Sequence, residues 1–91
     1  MIYGIHYDVN KPKSNGEYDA LYNTIKSAPG WCHAMDSFWF ISTNESVNTW
    51  SDRLQRCIDQ NDYLFVVDNT GQQRQGWMRK DVWEWLRKHD N

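Results

Sequence analysis

Residues 31–43 read WCHAMDSFWFIST, and their pattern decides how the rest of the chain is assembled. Two apolar-rich stretches, Trp31 to Met35 and Ser37 to Thr43, alternate loosely on either side of Asp36, a residue type whose side chain mimics a backbone turn. The spacing predicts a β-hairpin. Phe38 and Phe40 fall on one face of its second strand, Trp39 and Ile41 on the other, so both faces of the sheet need cover.

Working outward, Pro29 and Gly30 stop a preceding helix whose apolar stripe is Tyr18, Leu21, Tyr22 and Ile25, at i, i+3, i+4 and i+7. Ser14 with Glu17 three residues later reads as a capping box at its start. Before it, Ile2 to Val9 alternates Tyr3, Ile5, Tyr7 and Val9 against Ile2, Gly4, His6 and Asp8, which predicts a strand. After the hairpin, Thr43, Asn44, Glu45 and Ser46 are N-cap candidates for a second helix with Val47, Trp50, Leu54, Cys57 and Ile58 on one face. Asp59, Gln60, Asn61 and Asp62 break that helix, Tyr63 to Asp68 is a further strand, and Asn69, Thr70 and Gly71 turn the chain. A third helix spans Arg79 to His89, with Val82, Trp85 and Leu86 on one side. The order is βαββαβ plus a helix, the ferredoxin-like α+β arrangement with an antiparallel sheet, in a single domain over residues 1–91 whose residues 71–91 form a C-terminal loop and helix.

A chain of 91 residues has no room for a catalytic domain beside a binding domain. With 40% hydrophobic residues, 24% charged and a formal net charge of −2, it is neither a disordered acidic tail nor a basic nucleic-acid coat. Six tryptophans in a chain of mean hydropathy −0.89 need a reason. A small domain buries only about 60–65% of its unfolded surface, so large rings are an efficient core material, and some can cover a partner. Cys32 and Cys57 form no metal or redox spacing, and the start MIYGIHYDV is too short and polar for a membrane span, so the expectation is a cytoplasmic chain without a membrane partner.

Topology carries two consequences. Right-handed crossovers place the first strand between the third and fourth, antiparallel to both, so Asp8, Asp36 and Asp62 should gather at one end of the sheet. The first two helices cover one face of the sheet. The third can shield only part of the other, and the apolar remainder predicts a homodimer.

IHYDVNKP at residues 5–12, DSFWFIST at 36–43 and NDYLFVVD at 61–68 together resemble the SinR-like small proteins. These in turn resemble the CRISPR-associated spacer-acquisition subunit and its VapD-like relatives, which are ferredoxin-like dimers. The resemblance spans essentially residues 1–70 and implies a nucleic-acid-associated homodimer, with Asp8 in the place of a divalent-metal ligand at the dimer interface. It also matches Ser37, Phe38 and Trp39 to an aromatic Ser-x-Phe-type strand. The chain departs from the pattern where a run of Arg and Lys follows the first strand, since Asn10, Lys11, Pro12 and Lys13 supply two charges.

Chemically, Asp8 with Asp36 and Asp62 offers oxygen ligands for Mg²⁺ or Mn²⁺, and such an ion would make the chain a metal-dependent endonuclease acting on RNA or DNA. The competing reading is that aspartates at strand ends shape turns. His6 and His33 are acid or base candidates, or structural histidines. Ser14, Asn15 and Gly16 either cap the first helix or cradle a phosphate. Asn10, Lys11, Ser37 and Trp39 are candidate binding residues around the first strand and hairpin. Trp77 with Arg74, Arg79 and Lys80 combines a ring with cations, the chemistry used on nucleotides, or else pins the third helix down. The alternative function is a non-catalytic interaction or regulatory module that engages a protein or a nucleotide through an aromatic surface.

Overall fold

The computed structural model describes residues 1–10, 16 and 18–90. Its elements are β1 (Ile2–Asp8), α1 (Asp19–Ile25), β2 (Gly30–Met35), β3 (Phe38–Ser42), α2 (Val47–Gln55), β4 (Tyr63–Asp68) and α3 (Lys80–His89). The sheet order is β2-β3-β1-β4 with every neighbour antiparallel, so β1 lies between β3 and β4 as the crossovers demand. Ile5 stands opposite Trp39 and Val66, and His6 stands opposite Phe38 and Phe65. This register sends odd residues of β1 to one face and even residues to the other.

The odd face is the main core. Tyr3, Ile5 and Tyr7 of β1, with Trp39 and Ile41 of β3, pack under Leu21 and Ile25 of α1 and Trp50 and Leu54 of α2. The apolar stripes of both helices point inward as their spacing requires. Ser46 caps α2, its Oγ accepting the Thr49 N–H at 3.1 Å. The helix stops at Gln55, yet the Cys57 N–H reaches the Leu54 carbonyl at 2.9 Å. That tightened last turn keeps Cys57 and Ile58 against the core although neither is in the helix proper. The buried ring heteroatoms have partners: Trp39 Nε1 donates to Tyr7 Oη at 2.9 Å and Trp50 Nε1 to Thr43 Oγ1 at 3.2 Å. The Ser14–Glu17 capping box and the phosphate-cradle reading of Ser14 and Asn15 lie outside the described residues.

On the even face, α3 packs Val82 and Leu86 against Ile2, Ala34 and Phe40. Ala34, on the same side of β2 as Cys32, enters the second core while His33 faces the other way, and a bulge between His33 and Met35 interrupts the pairing there. Arg79 satisfies the bulge, its guanidinium donating to the His33 and Ala34 carbonyls at 2.8 and 3.2 Å. At the far end of α3, a Cβ on Gly30 would meet His89 Nε2 at 3.1 Å, so a bare backbone there lets the helix approach β2.

Four of the six tryptophans serve the two cores: Trp39 and Trp50 under α1 and α2, Trp83 and Trp85 around α3. Trp31 lies over Trp39 at 5.6 Å between centroids, and Trp77 is fully exposed. Leu54→Ala removes a fully buried side chain between α2 and the sheet. It should lower unfolding free energy by about 3 kcal/mol, read as a reduced urea midpoint with an unchanged slope.

Candidate functional site

β1, β3 and β4 meet at one end of the sheet as expected: the Tyr7 N–H reaches the Ser37 carbonyl at 3.1 Å, and Asp8 lies opposite Tyr63. Their carboxylates nevertheless do not form a shared cage. Among the described residues, no group of three or more His, Cys, Asp or Glu side chains is placed to hold a metal ion. Asp62 is buried, and its carboxylate accepts the backbone N–H groups of Asn10 and Asp59, both at 2.9 Å, and the Tyr18 hydroxyl at 3.2 Å. It is a clasp joining the end of β1 to the turn before β4, so the metal-ligand expectation for Asp62 is corrected. A strand-end aspartate finds nearby backbone donors before it finds a cation. Asn10, expected to bind a partner, belongs to the same clasp: its side-chain amide donates to the Asn61 carbonyl. Asp36 stands at the hairpin turn, where its carbonyl accepts from the Tyr7 hydroxyl at 3.3 Å and lies 3.1 Å from His33 Nε2. Asp8 points out on the even face.

The other expected binding residues separate in the same way. Trp39, at 2% exposure, is core and not contact surface, with His33 stacked on it at 3.9 Å and 7°. Its odd position on β3 puts it under the helices. Arg74 is held by Asp90 and the Asn69 carbonyl, and Arg79 by the bulge carbonyls and Asp81, so both are spent inside the fold. Trp77 and Lys80 remain exposed, Lys80 making only a 3.8 Å contact to Glu84. Lys11 lies outside the described residues.

What the strands do bring together is a row of rings across the even face. Phe65, His6, Phe38, Phe40, Trp85 and His89 follow one another at centroid distances of 6.0, 4.1, 4.6, 6.3 and 4.1 Å. Gly4 makes room for it, since a Cβ there would stand 3.0 Å from the Phe38 ring. At the α3 end the row is roofed. At the β4 end it is not: Phe65 is 61% and Tyr63 72% exposed, and with His6 and Asp8 they line a hollow of about 220 Å³. His6 lies stacked on Phe38 at 18°, and its partial burial holds its pKa below the usual 6.5. The alternation of Tyr63, Phe65 and Val67 with Leu64 and Val66 was the signal for this surface, and pairing with His6 gives it its neighbours.

The chain matches no protein-family model, and it matches no curated protein. Among solved structures it is similar to "a hypothetical protein TT1823 from Thermus thermophilus", with a TM-score of 0.62 and 21% identity, over 86% of this chain and 93% of that one. The fold is ferredoxin-like α+β. At that identity the likeness is one of architecture alone. Among the described residues, no helix is long and apolar enough to cross a membrane.

The stacked histidine has a pH signature. Its folded state releases the proton more readily than the unfolded chain, so stability falls as pH drops from the ordinary value of 6.5 toward the lower folded value. Proton NMR of the His6 ring should give a midpoint below 6.5, and Phe38→Ala, by uncovering the ring, should move it back up.

Proposed function

We propose that this protein is a homodimeric, nucleic-acid-associated ferredoxin-like module whose subunits meet through the unroofed half of the even sheet face. The observation that carries this reading is the His6–Phe38 stack flanked by Phe65 and Tyr63 with no helix above them. Water around so many rings is costly, and a second copy of the same apolar surface removes it at about 25 cal/mol per Å². The hollow beside the stack carries one carboxylate, Asp8, and no lysine or arginine, which suits an apolar self-contact.

The same arrangement governs the metal reading. One chain does not supply a ligand set among its described residues, so a Mg²⁺ or Mn²⁺ ion would need the Asp8 carboxylates of two copies. The resemblance to the spacer-acquisition group, with Asp8 closing the first strand, supports an ion shared across the interface and a phosphodiester of RNA or DNA as the substrate, in the cytoplasm. Without that pairing the protein is the non-catalytic interaction module that uses the same surface.

Sedimentation should give twice the chain mass at micromolar concentration and one chain mass for Phe65→Glu, which sets charges against each other across the seam. A wild-type mass near one chain overturns the dimer. On RNA and DNA with Mg²⁺ or Mn²⁺, Asp8→Ala should lose cleavage while remaining dimeric. Equal cleavage by both proteins, or none by either, removes the nuclease and leaves the interaction module.

A further inference from the structure

A second surface, away from the Asp8 end, is built around Trp77. The polypeptide between β4 and α3 runs back over the even face without helix or strand, and it encloses a hollow of about 270 Å³. The walls are apolar, with Phe38, Phe40, Met78 and Trp83 among them, while Asn69 and Arg74 add polar groups. Arg74 is neutralised by Asp90, so the hollow as a whole does not attract phosphate. Ring walls and the amides of Asn69, Gln73 and Gln75 in a space smaller than a drug-sized pocket describe a site for a single planar heterocycle.

The same segment also lines a second hollow of about 390 Å³, which shares Gly76, Trp77, Met78 and Trp83 with the first and adds Lys80 and Arg87. Both cations project from α3, seven residues apart and therefore on one side of the helix. Lys80 is 88% exposed. Common to both hollows is Trp77, an indole 100% exposed in the free protein, next to Gly76, where an added Cβ would meet nothing within 4 Å. An exposed indole on the lining of both hollows is placed to stack on a planar ring.

We infer that this segment is a nucleotide-binding site: a purine base enters the inner hollow and stacks with Trp77, and the 5′-phosphate lies on Lys80 and Arg87. The site is independent of the Asp8 surface, sharing with it only the Phe38 ring. The same chemistry is offered by a free nucleotide and by a nucleotide within a single strand, and two probes separate these sources.

Calorimetric titration with AMP, adenosine and a short oligoadenylate tests the site on the intact chain. AMP or the oligoadenylate should bind with Kd below about 1 mM. Trp77→Ala, a change at an exposed position that leaves the unfolding midpoint in place, should weaken binding roughly tenfold. The double variant Lys80→Ala, Arg87→Ala should bring AMP down to the affinity of adenosine while leaving adenosine unchanged. A much tighter oligoadenylate identifies a strand as the source, and equal affinities identify the free nucleotide. Binding of neither probe up to about 1 mM, or the same affinity in Trp77→Ala as in wild type, overturns the site. Asp8→Ala should bind AMP as wild type does, which keeps this result separate from the fate of the dimer.

Discussion

β1 is paired on both sides, to β3 and to β4, and almost everything else in the molecule is a consequence of that double pairing. A strand hydrogen-bonded along both edges has no freedom of register, because a slip of one residue would turn Tyr3, Ile5 and Tyr7 out of the core and His6 and Asp8 into it. Its neighbours inherit the same parity. Trp39 must go under the helices, Phe38 must go to the opposite side, and Phe65 must lie beside His6. The ring row, the buried Trp39 and the outward Asp8 are one fact seen at three positions.

The even face shows how a small α+β domain distributes limited cover. Two helices suffice for the odd face, where Trp50 and Leu54 of α2 and Leu21 and Ile25 of α1 fill the space over the sheet. On the even face a single ten-residue helix is available, and it is tied to β2 by the Arg79 hydrogen bonds at one end and by the close passage of His89 past Gly30 at the other. Held there, it cannot also reach β4. Phe65 and Tyr63 are left in water by the placement of α3, since their own residue types would accept burial. Exposure of this kind marks a contact surface more clearly than residue identity does.

Charge follows a similar division. Both arginines with candidate roles act within the fold, Arg74 holding Asp90 and Arg79 the bulge, and Arg53 is likewise taken, bidentate to Glu45. The Asp90 carboxyl is accordingly pulled below the ordinary aspartate range by its hydrogen bonds to Arg74, which anchors the end of α3 to the segment that precedes it. Lys80, 3.8 Å from the Glu84 carboxylate, and Arg87 stand on the surface next to the exposed Trp77. The cations able to meet a phosphate are those whose heads remain exposed.

Much of this was legible in the sequence. Periodicity of two in residues 2–8 and 63–68, periodicity of three to four in residues 18–25 and 47–58, and Pro29–Gly30 as a stop determined the element order, and the order determined the sheet. The two-sided apolar strands announced a second layer, and they did so because alternation is a local property that survives folding. The fate of individual polar and aromatic side chains was decided by tertiary structure. Asp62 and Asp8 are the same residue type at equivalent strand ends, but backbone donors of Asn10 and Asp59 stand within reach of Asp62 and claim it. Trp39 and Trp77 are the same ring, yet strand parity buries one and a segment without helix or strand exposes the other. Which hydrogen-bond partners and which cover a side chain finds depends on elements distant in sequence, and only the packed chain brings those into range.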